Sequence, residues 1–196
     1  MTLEYKFNER LSNERHLWVI GCSVTSGVGV SEKERFGDII SSRLNLPVIT
    51  LAKPGASIEW AADQILTSDI NKDDIVIWGL TGATRYPFAT QNQLLNITPS
   101  NYAKQSEVKL HISEKYFLSY DIIHRAKRSI LQVENFTNKI GAKLLIGFLP
   151  VNGPETDLIM YNYVKTIKSV VLLYNIHSDE KIFIWTKAPT ICIQAP

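Results

Sequence analysis

Hydrophobic residues in this chain fall into short apolar runs that alternate with segments of helical periodicity. Between the runs, apolar residues recur every three or four positions, as they do along one face of a helix. This alternation predicts βαβ units and an α/β domain with a mostly parallel sheet of about five strands. The five runs are Leu17–Gly21, Pro47–Ala52, Ile75–Leu80, Lys143–Leu149 and Ile182–Trp185.

Four of the intervening segments are predicted to be helices. Ser31 and Glu34 have the spacing of a capping box, and Ser57 is a favourable N-cap, so two helices should begin close to these serines. Gly141 is expected to end a third helix. The apolar stripes are Phe36, Ile39, Ile40 and Leu44 in the first helix, Ile58, Ala61, Ala62, Ile65 and Leu66 in the second, Ile123, Ala126, Ile130, Val133 and Thr137 in the third, and Met160, Val164, Ile167 and Val171 in the fourth.

Two segments lack this periodicity. The residues from Arg85 to Glu114 are polar and interrupted by two prolines. Since this segment is longer than the usual connections of a compact domain, it predicts an irregular insertion, 85–114, near the functional site. Residues 186–196 are predicted to form a short tail. With 196 residues and no internal repeat, the chain 1–196 is predicted to be one domain.

Composition and charge exclude several kinds of protein. The 21 basic and 19 acidic residues give a net charge of +2 and are spread along the chain, so nucleic acid is not an expected partner. No apolar run is long enough to span a membrane and no signal peptide is evident, which predicts a cytoplasmic protein. Cys22 and Cys192 lie far apart without a Cys/His cluster, so neither a metal nor another cofactor is expected. Asp73 and Asp74 are interpreted as a solvated turn rather than as metal ligands.

Candidate chemistry follows the first predicted strand, in the segment Gly21-Cys22-Ser23-Val24-Thr25-Ser26-Gly27-Val28-Gly29. A buried strand that ends in Gly-x-Ser places the hydroxyl of Ser23 at the carboxyl edge of a parallel sheet, where open α/β folds bind ligands. Gly27 and Gly29 can adopt positive φ and let the backbone approach a ligand closely. Ser23 is therefore a candidate nucleophile, and the alternative is an ordinary loop. A dinucleotide site is excluded, because Glu32 stands where that fingerprint needs its third small residue.

Together, the ends of the first three predicted strands resemble the SGNH hydrolase family, also called GDSL lipases and esterases. The first segment is similar to the family block Gly-Asp-Ser-x-Thr-x-Gly-x-Gly, with Cys22 in place of the aspartate. Leu51–Ser57 looks like the second block. Gly79–Gly82 stands where the family has Gly-x-Asn-Asp, with Thr81 in place of the asparagine. The resemblance implies a three-layer α/β/α, flavodoxin-like fold.

The resemblance also implies hydrolysis of small acyl esters, for example on acylated carbohydrates. Ser23 would be the nucleophile, and the N–H groups of Ser23 and Gly55, with the Thr81 hydroxyl, would surround the oxyanion. Arg85 and Tyr86, just beyond the third strand, are candidates to bind an anionic or sugar substrate, or alternatively to make structural hydrogen bonds. A different class remains open, namely a non-catalytic domain that binds a small ligand or a partner on the same fold.

The general base has no clear counterpart in this sequence. In the family it belongs to an Asp-x-x-His motif after the last strand, and residues 186–196 contain neither Asp nor His. His111, and His177 with Asp179, are weak candidates to replace it. His16 and His124 are expected to lie on the surface. The chain is thus predicted to be a truncated or diverged member, with impaired catalysis unless His111 or His177 substitutes.

Overall fold

A computed structural model of the chain describes residues 14–89, 94–97, 120–148, 155–167, 171–174, 181–185 and 191–194. Within these ranges no helix is both long enough and apolar enough to cross a membrane. The elements, in chain order, are β1 Leu17–Gly21, a 3-10 turn Glu32–Glu34, α1 Phe36–Leu44, β2 Val48–Ala52, α2 Ile58–Thr67, β3 Ile75–Leu80, β4 Tyr86–Ala89, β5 Leu94–Ile97, α3 Tyr120–Ile140, β6 Lys143–Phe148, α4 Glu155–Thr166, β7 Val171–Tyr174, β8 Lys181–Trp185 and β9 Ile191–Gln194.

The main sheet has seven strands in the order β2-β1-β3-β6-β7-β8-β9. The first five of these are parallel, whereas β8 and β9 pair antiparallel. Ile20 of β1 is level with Leu51 of β2 on one side and with Trp78 of β3 on the other. This parallel sheet with helices on its faces confirms the predicted α/β class. The chain changes direction across the sheet between β1 and β3, and ligands bind at such switch points in open α/β folds.

The two faces of the sheet carry cores of different size. Helices α2, α3 and α4 contribute to the larger core, which includes Trp18, Ile20 and Trp78. On the opposite face, Leu17, Val19 and Ile77 pack against residues of α1. Helix α1 approaches β1 closely at Gly37, where an added Cβ would lie 3.1 Å from a Val19 methyl carbon. The predicted apolar stripes of α2 and α3 are buried in the larger core, including Ile58, Ala61, Ala62, Ile65, Ile123, Ala126, Ile130 and Val133.

The predicted helix boundaries agree with local hydrogen bonds. The Ser57 hydroxyl accepts a bond from the Trp60 N–H at 3.1 Å and begins α2. Gly141, with φ +79°, follows the last residue of α3. The Ser31 N–H donates to the Glu34 carboxylate at 3.0 Å as a capping box requires. That segment is only a 3-10 turn, however, and α1 starts at Phe36.

The fourth helix is shorter than the sequence predicted. Helix α4 ends at Thr166, and Val171 begins strand β7, which pairs with β6 from Leu145 to Gly147. The prediction that Val171 belongs to the helical stripe is therefore wrong. A short apolar run fits either a helix or a buried strand by periodicity alone, and here pairing with β6 favours the strand.

The segments predicted to be irregular contain strands that the hydrophobic pattern did not predict. Within the insertion 85–114, β4 and β5 form a two-stranded antiparallel sheet. Pro87 fits there because both strands of such a pair are edge strands. In the tail 186–196, β9 pairs with β8, and β8 itself is antiparallel although it was expected in a mostly parallel sheet. Residues 90–93 and 98–114 lie outside the described residues, and the single-domain organisation of 1–196 stays a prediction.

A buried carboxylate joins the amino ends of β1 and β3. Asp74 is fully buried, and its Oδ1 accepts the His16 backbone N–H at 2.8 Å. Its Oδ2 accepts the Trp18 indole N–H at 3.0 Å and the Asn71 backbone N–H at 2.8 Å. The interpretation of a solvated turn fits Asp73, which is exposed. It is wrong for Asp74, because that carboxylate is buried at the amino edge of the sheet.

Candidate active site

The three sequence motifs meet at one edge of the sheet. Ser23 lies just beyond β1, Gly55 just beyond β2, and Thr81 directly after β3. These strands are parallel neighbours in the order β2-β1-β3, so their carboxyl ends share this edge, with about 4.8 Å between adjacent strands. The fold therefore brings together the loops that carry the predicted nucleophile and the predicted oxyanion donors.

Ser23 is part of a compact turn that holds its backbone. Its carbonyl oxygen accepts the Val28 N–H at 3.0 Å and the Ser26 hydroxyl at 2.9 Å. Gly27 and Gly29 have φ angles of +74° and +94°, as the predicted turn requires. Among the described residues, the N–H of Ser23 has no backbone acceptor. Ser23 itself is partly exposed.

Thr25 explains why two strand ends carry glycine. Its hydroxyl is buried without a hydrogen-bond partner in the described part of the chain, and it packs against Gly21 of β1 and Gly79 of β3. A Cβ added at Gly79 would lie 2.5 Å from the Thr25 Oγ1, and one at Gly21 would lie 2.8 Å from the Gly79 carbonyl oxygen. The Thr25 side chain therefore fits between β1 and β3 only because both positions lack a side chain.

This packing makes a testable distinction between the two glycines. Gly79→Ala should lower the free energy of unfolding by about 1–3 kcal/mol, because its methyl group overlaps the Thr25 side chain. Adding Thr25→Ala should recover much of that loss, since the neighbouring backbone atom is 3.7 Å away. Gly21→Ala should not be rescued, because it also meets the backbone of Gly79. Urea denaturation of the single and double variants measures the coupling, and equal rescue of both glycine variants would contradict this account.

The Gly55 turn is fastened to the end of β1. Gly55 has a φ of +78°, which favours glycine. The Lys53 N–H donates to the Gly21 carbonyl at 3.3 Å, and the Ala56 N–H donates to the Lys53 carbonyl at 3.2 Å. The N–H of Gly55 has no backbone acceptor among the residues that the structure describes.

Thr81 carries the third predicted donor. The residue is only 8% exposed, and its hydroxyl is buried without a hydrogen-bond partner among the described residues. A buried hydroxyl that makes no hydrogen bond costs about 1–3 kcal/mol. The Thr25 hydroxyl is in the same situation, among the described residues. The role of Thr81 as an oxyanion donor stays a prediction.

Arg85 makes a structural contact rather than standing free at the edge. Its guanidinium donates to the Ala56 carbonyl oxygen at 3.3 Å, and its backbone N–H donates to the Gly82 carbonyl at 3.2 Å. These bonds support the alternative that Arg85 makes structural hydrogen bonds. Its role in binding substrate stays a prediction. Tyr86 begins β4, and its substrate-binding role stays a prediction.

Two charged contacts next to the Gly55 turn were not predicted. The Lys53 ammonium lies 4.4 Å from the centre of the Trp60 ring, and burial lowers the pKa of Lys53. Glu59, in the first turn of α2, forms an ion pair with Arg125 of α3 at 3.1 Å. Neither pair belongs to a sequence motif, because the partners meet only when the helices pack. Together they join the first turn of α2 to the Gly55 turn, through Lys53, and to α3, through Arg125.

Burial raises the pKa of the Glu59 carboxyl, and the opposing effect of Arg125 does not reverse this. The folded protein therefore holds a proton on Glu59 more tightly than the unfolded chain does. Its stabilising contribution is complete below the ordinary glutamate pKa of 4.5 and is lost as pH rises through the raised pKa. The difference in unfolding free energy between wild type and Glu59→Gln should thus fall with rising pH.

Glu34 provides a control, because its pKa is shifted in the direction opposite to that of Glu59. Hydrogen bonds from Ser31 lower the pKa of Glu34, so its contribution is present above pH 4.5 and lost as pH falls. The wild-type advantage over Glu34→Gln should therefore grow with rising pH. Urea denaturation at a series of pH values measures both differences, and slopes of the same sign would contradict the assignment.

The histidines in the described residues do not supply an evident base. His16 lies before β1 at the opposite, amino edge, with its Nδ1 2.8 Å from the Glu14 carbonyl oxygen. His124 is exposed on α3. His111, His177 and Asp179 lie outside the described residues. Within the described ranges, no group of three His, Cys, Asp or Glu side chains is arranged to hold a metal ion.

Comparison with known proteins gives a structural likeness without a sequence match. No family model matches the chain, and no curated protein matches it. The solved structure of TesA is similar, with a TM-score of 0.51 and 11% identity over 81% of this chain and 77% of that one. AlinE4, an SGNH-hydrolase family esterase, gives a TM-score of 0.46 and 12% identity over 80% of this chain and 74% of that one. EstA, an esterase from Pseudoalteromonas sp., gives a TM-score of 0.47 and 7% identity over 82% of this chain and 77% of that one.

At these identities the likeness concerns the fold. It agrees with the three motifs at the ends of β1, β2 and β3, which were found in the sequence alone. The chain therefore has a fold similar to that of TesA.

Proposed function

We propose that the protein is a serine ester hydrolase that acts on small acyl esters, including acylated carbohydrates. The observation that carries this proposal is the meeting of three loops at the ends of β2, β1 and β3, with Ser23 on the central one. The positive φ of Gly55 supports it, as does the buried Thr81 hydroxyl, which has no hydrogen-bond partner in the described part of the chain. The esterase activity of its structural neighbours is consistent with the same chemistry.

In the proposed reaction, the Ser23 Oγ attacks the ester carbonyl and gives its proton to a base. The carbonyl oxygen becomes an oxyanion that accepts hydrogen bonds from the N–H groups of Ser23 and Gly55 and from the Thr81 hydroxyl. Collapse of the adduct releases the alcohol, and water then hydrolyses the acyl enzyme. Removing one oxyanion donor typically lowers the rate by about 10²–10³-fold.

The base is proposed among residues outside the described ranges. His111 and His177 are the candidates, with Asp179 as a residue that would orient His177. Each is tested by substitution with asparagine, which should lower the rate of hydrolysis while leaving ligand binding intact.

The second candidate function is a non-catalytic binding domain on the same fold. It is favoured by Cys22 and Thr81, which stand where the family pattern has an aspartate and an asparagine. In that case Ser23, Gly55 and Thr81 would bind a small ligand without forming an acyl enzyme.

A fluorophosphonate probe separates the two functions, because it reacts only with an activated serine. We expect one covalent adduct on wild-type protein, located on Ser23 by peptide mass spectrometry. The adduct should be lost in Ser23→Ala and retained in Ser26→Ala, whose hydroxyl lies in the same turn. Unlabelled wild-type protein would favour the binding domain.

A further inference from the structure

We propose that Arg85 is a positioning residue that holds the Gly55 turn in place beside Thr81. This inference rests on the proposed function, in which both residues stabilise the oxyanion. Arg85 would act through the backbone of the neighbouring loop and would not itself touch the substrate.

Arg85 connects two loops that follow different strands. Its backbone N–H donates to the Gly82 carbonyl at 3.2 Å, which closes the turn immediately after Thr81. Its guanidinium Nη1 donates to the Ala56 carbonyl oxygen at 3.3 Å, 29 residues away in the chain. One residue is therefore bonded both to the Thr81 turn and to the Gly55 turn.

The Gly55 turn is held at both polar groups of Ala56. The Ala56 N–H donates to the Lys53 carbonyl at 3.2 Å, and its carbonyl accepts from Arg85. Ala56 is fully buried, so its carbonyl has no water to replace a lost partner. Because the bond comes from a charged group, it is stronger than a neutral hydrogen bond. Without it, we expect the Gly55 N–H to move relative to the Thr81 hydroxyl.

A positioning role for Arg85 and a substrate-binding role for Arg85 predict different changes in kcat and KM. An oxyanion donor that is displaced by a fraction of an ångström stabilises the transition state less and leaves ground-state binding largely unchanged. A loss of position should therefore lower kcat and leave KM nearly constant. Direct binding of an anionic substrate by Arg85 should instead raise KM, and only for substrates that carry the negative charge.

The kinetic experiment compares Arg85→Ala and Arg85→Lys with wild type on two esters. The neutral substrate is p-nitrophenyl acetate, and the anionic one is the p-nitrophenyl monoester of adipate. We expect Arg85→Ala to lower kcat by about 10- to 100-fold on both, with KM changed less than about twofold, and Arg85→Lys to restore part of kcat. Arg128→Ala, which removes an exposed arginine of α3, should leave both constants unchanged. A rise in KM confined to the anionic ester would overturn the proposal.

A second measurement does not depend on catalysis. In amide hydrogen exchange, Arg85→Ala should speed exchange of the Ala56 N–H by about tenfold, whereas amides of β1 should keep their wild-type rates. Arg85→Lys should show a smaller increase. Unchanged exchange at Ala56 would overturn the positioning role even in an active hydrolase. Wild-type protein that hydrolyses neither ester would instead refute the proposed function, and the exchange rates would still decide whether Arg85 holds the turn.

Discussion

Ser23→Ala is expected to lower the rate of p-nitrophenyl acetate hydrolysis by at least about 10³-fold, measured above the uncatalysed reaction. In the proposed reaction the substitution removes the atom that would form the acyl enzyme, so turnover by this route would stop. The remaining loop contacts survive, because the carbonyl of Ser23 still accepts the Val28 N–H and the Ser26 hydroxyl. Steady-state kinetics, together with an unchanged urea midpoint, would show that chemistry and not folding was lost.

Ser26→Ala is the matched control for this prediction. It removes a hydroxyl from the same turn, and with it the 2.9 Å bond to the Ser23 carbonyl. The loss of one such bond costs about 1 kcal/mol, so the rate should fall by no more than about tenfold. Equal losses in the two variants would mean that the turn as a whole matters and that Ser23 is not the nucleophile.

Asp74→Ala is expected to lower the free energy of unfolding by about 3 kcal/mol or more. The carboxylate is fully buried and accepts the N–H groups of His16, Trp18 and Asn71. Removing it leaves three donors at the amino edge without this acceptor, and a buried donor that loses its partner costs about 1–3 kcal/mol. Urea denaturation followed by tryptophan fluorescence measures the loss, because Trp18 is one of the bonded groups.

Asp73→Asn is the control for Asp74→Ala. Asp73 is exposed and has a φ of +70°, a conformation that asparagine also tolerates. Its substitution should change the unfolding free energy by no more than about 0.5 kcal/mol, as is usual for surface positions. If both variants lost equal stability, the network around Asp74 would not be the cause.

The parts of the fold that the sequence predicts are those with local signals. The Ser57 N-cap, the Gly141 helix end and the apolar stripe of α3 depend on residues within a few positions of one another. Strands β1 and β3 are continuous apolar runs because central parallel strands are covered on both faces, whereas the edge strand β2 is only half-buried. The site loops follow from those strands, since each motif comes directly after a strand end.

The features that the sequence did not predict depend on distant contacts. Val171 lies in a strand because it pairs with Leu145 of β6. The residues next to Val171 in the sequence do not indicate that partner. The burial of Asp74 requires His16 and Trp18, 58 and 56 residues away in the chain. The sequence left open whether Arg85 binds substrate or makes structural hydrogen bonds, and only the folded chain brings it to the Ala56 carbonyl.

The amino end of β1 contacts the Asp74 network, and its carboxyl end leads into the Ser23 turn. This separation determines which substitutions the protein can tolerate together. The five residues of the strand place the Asp74 network roughly 16 Å from the Ser23 turn. Changes at sites further apart than about 10 Å usually combine additively when they share no partners. Substitutions in the loops at the carboxyl edge should therefore leave the stability of the amino edge unchanged. A chain that is stabilised near Asp74 should tolerate more such substitutions before it unfolds.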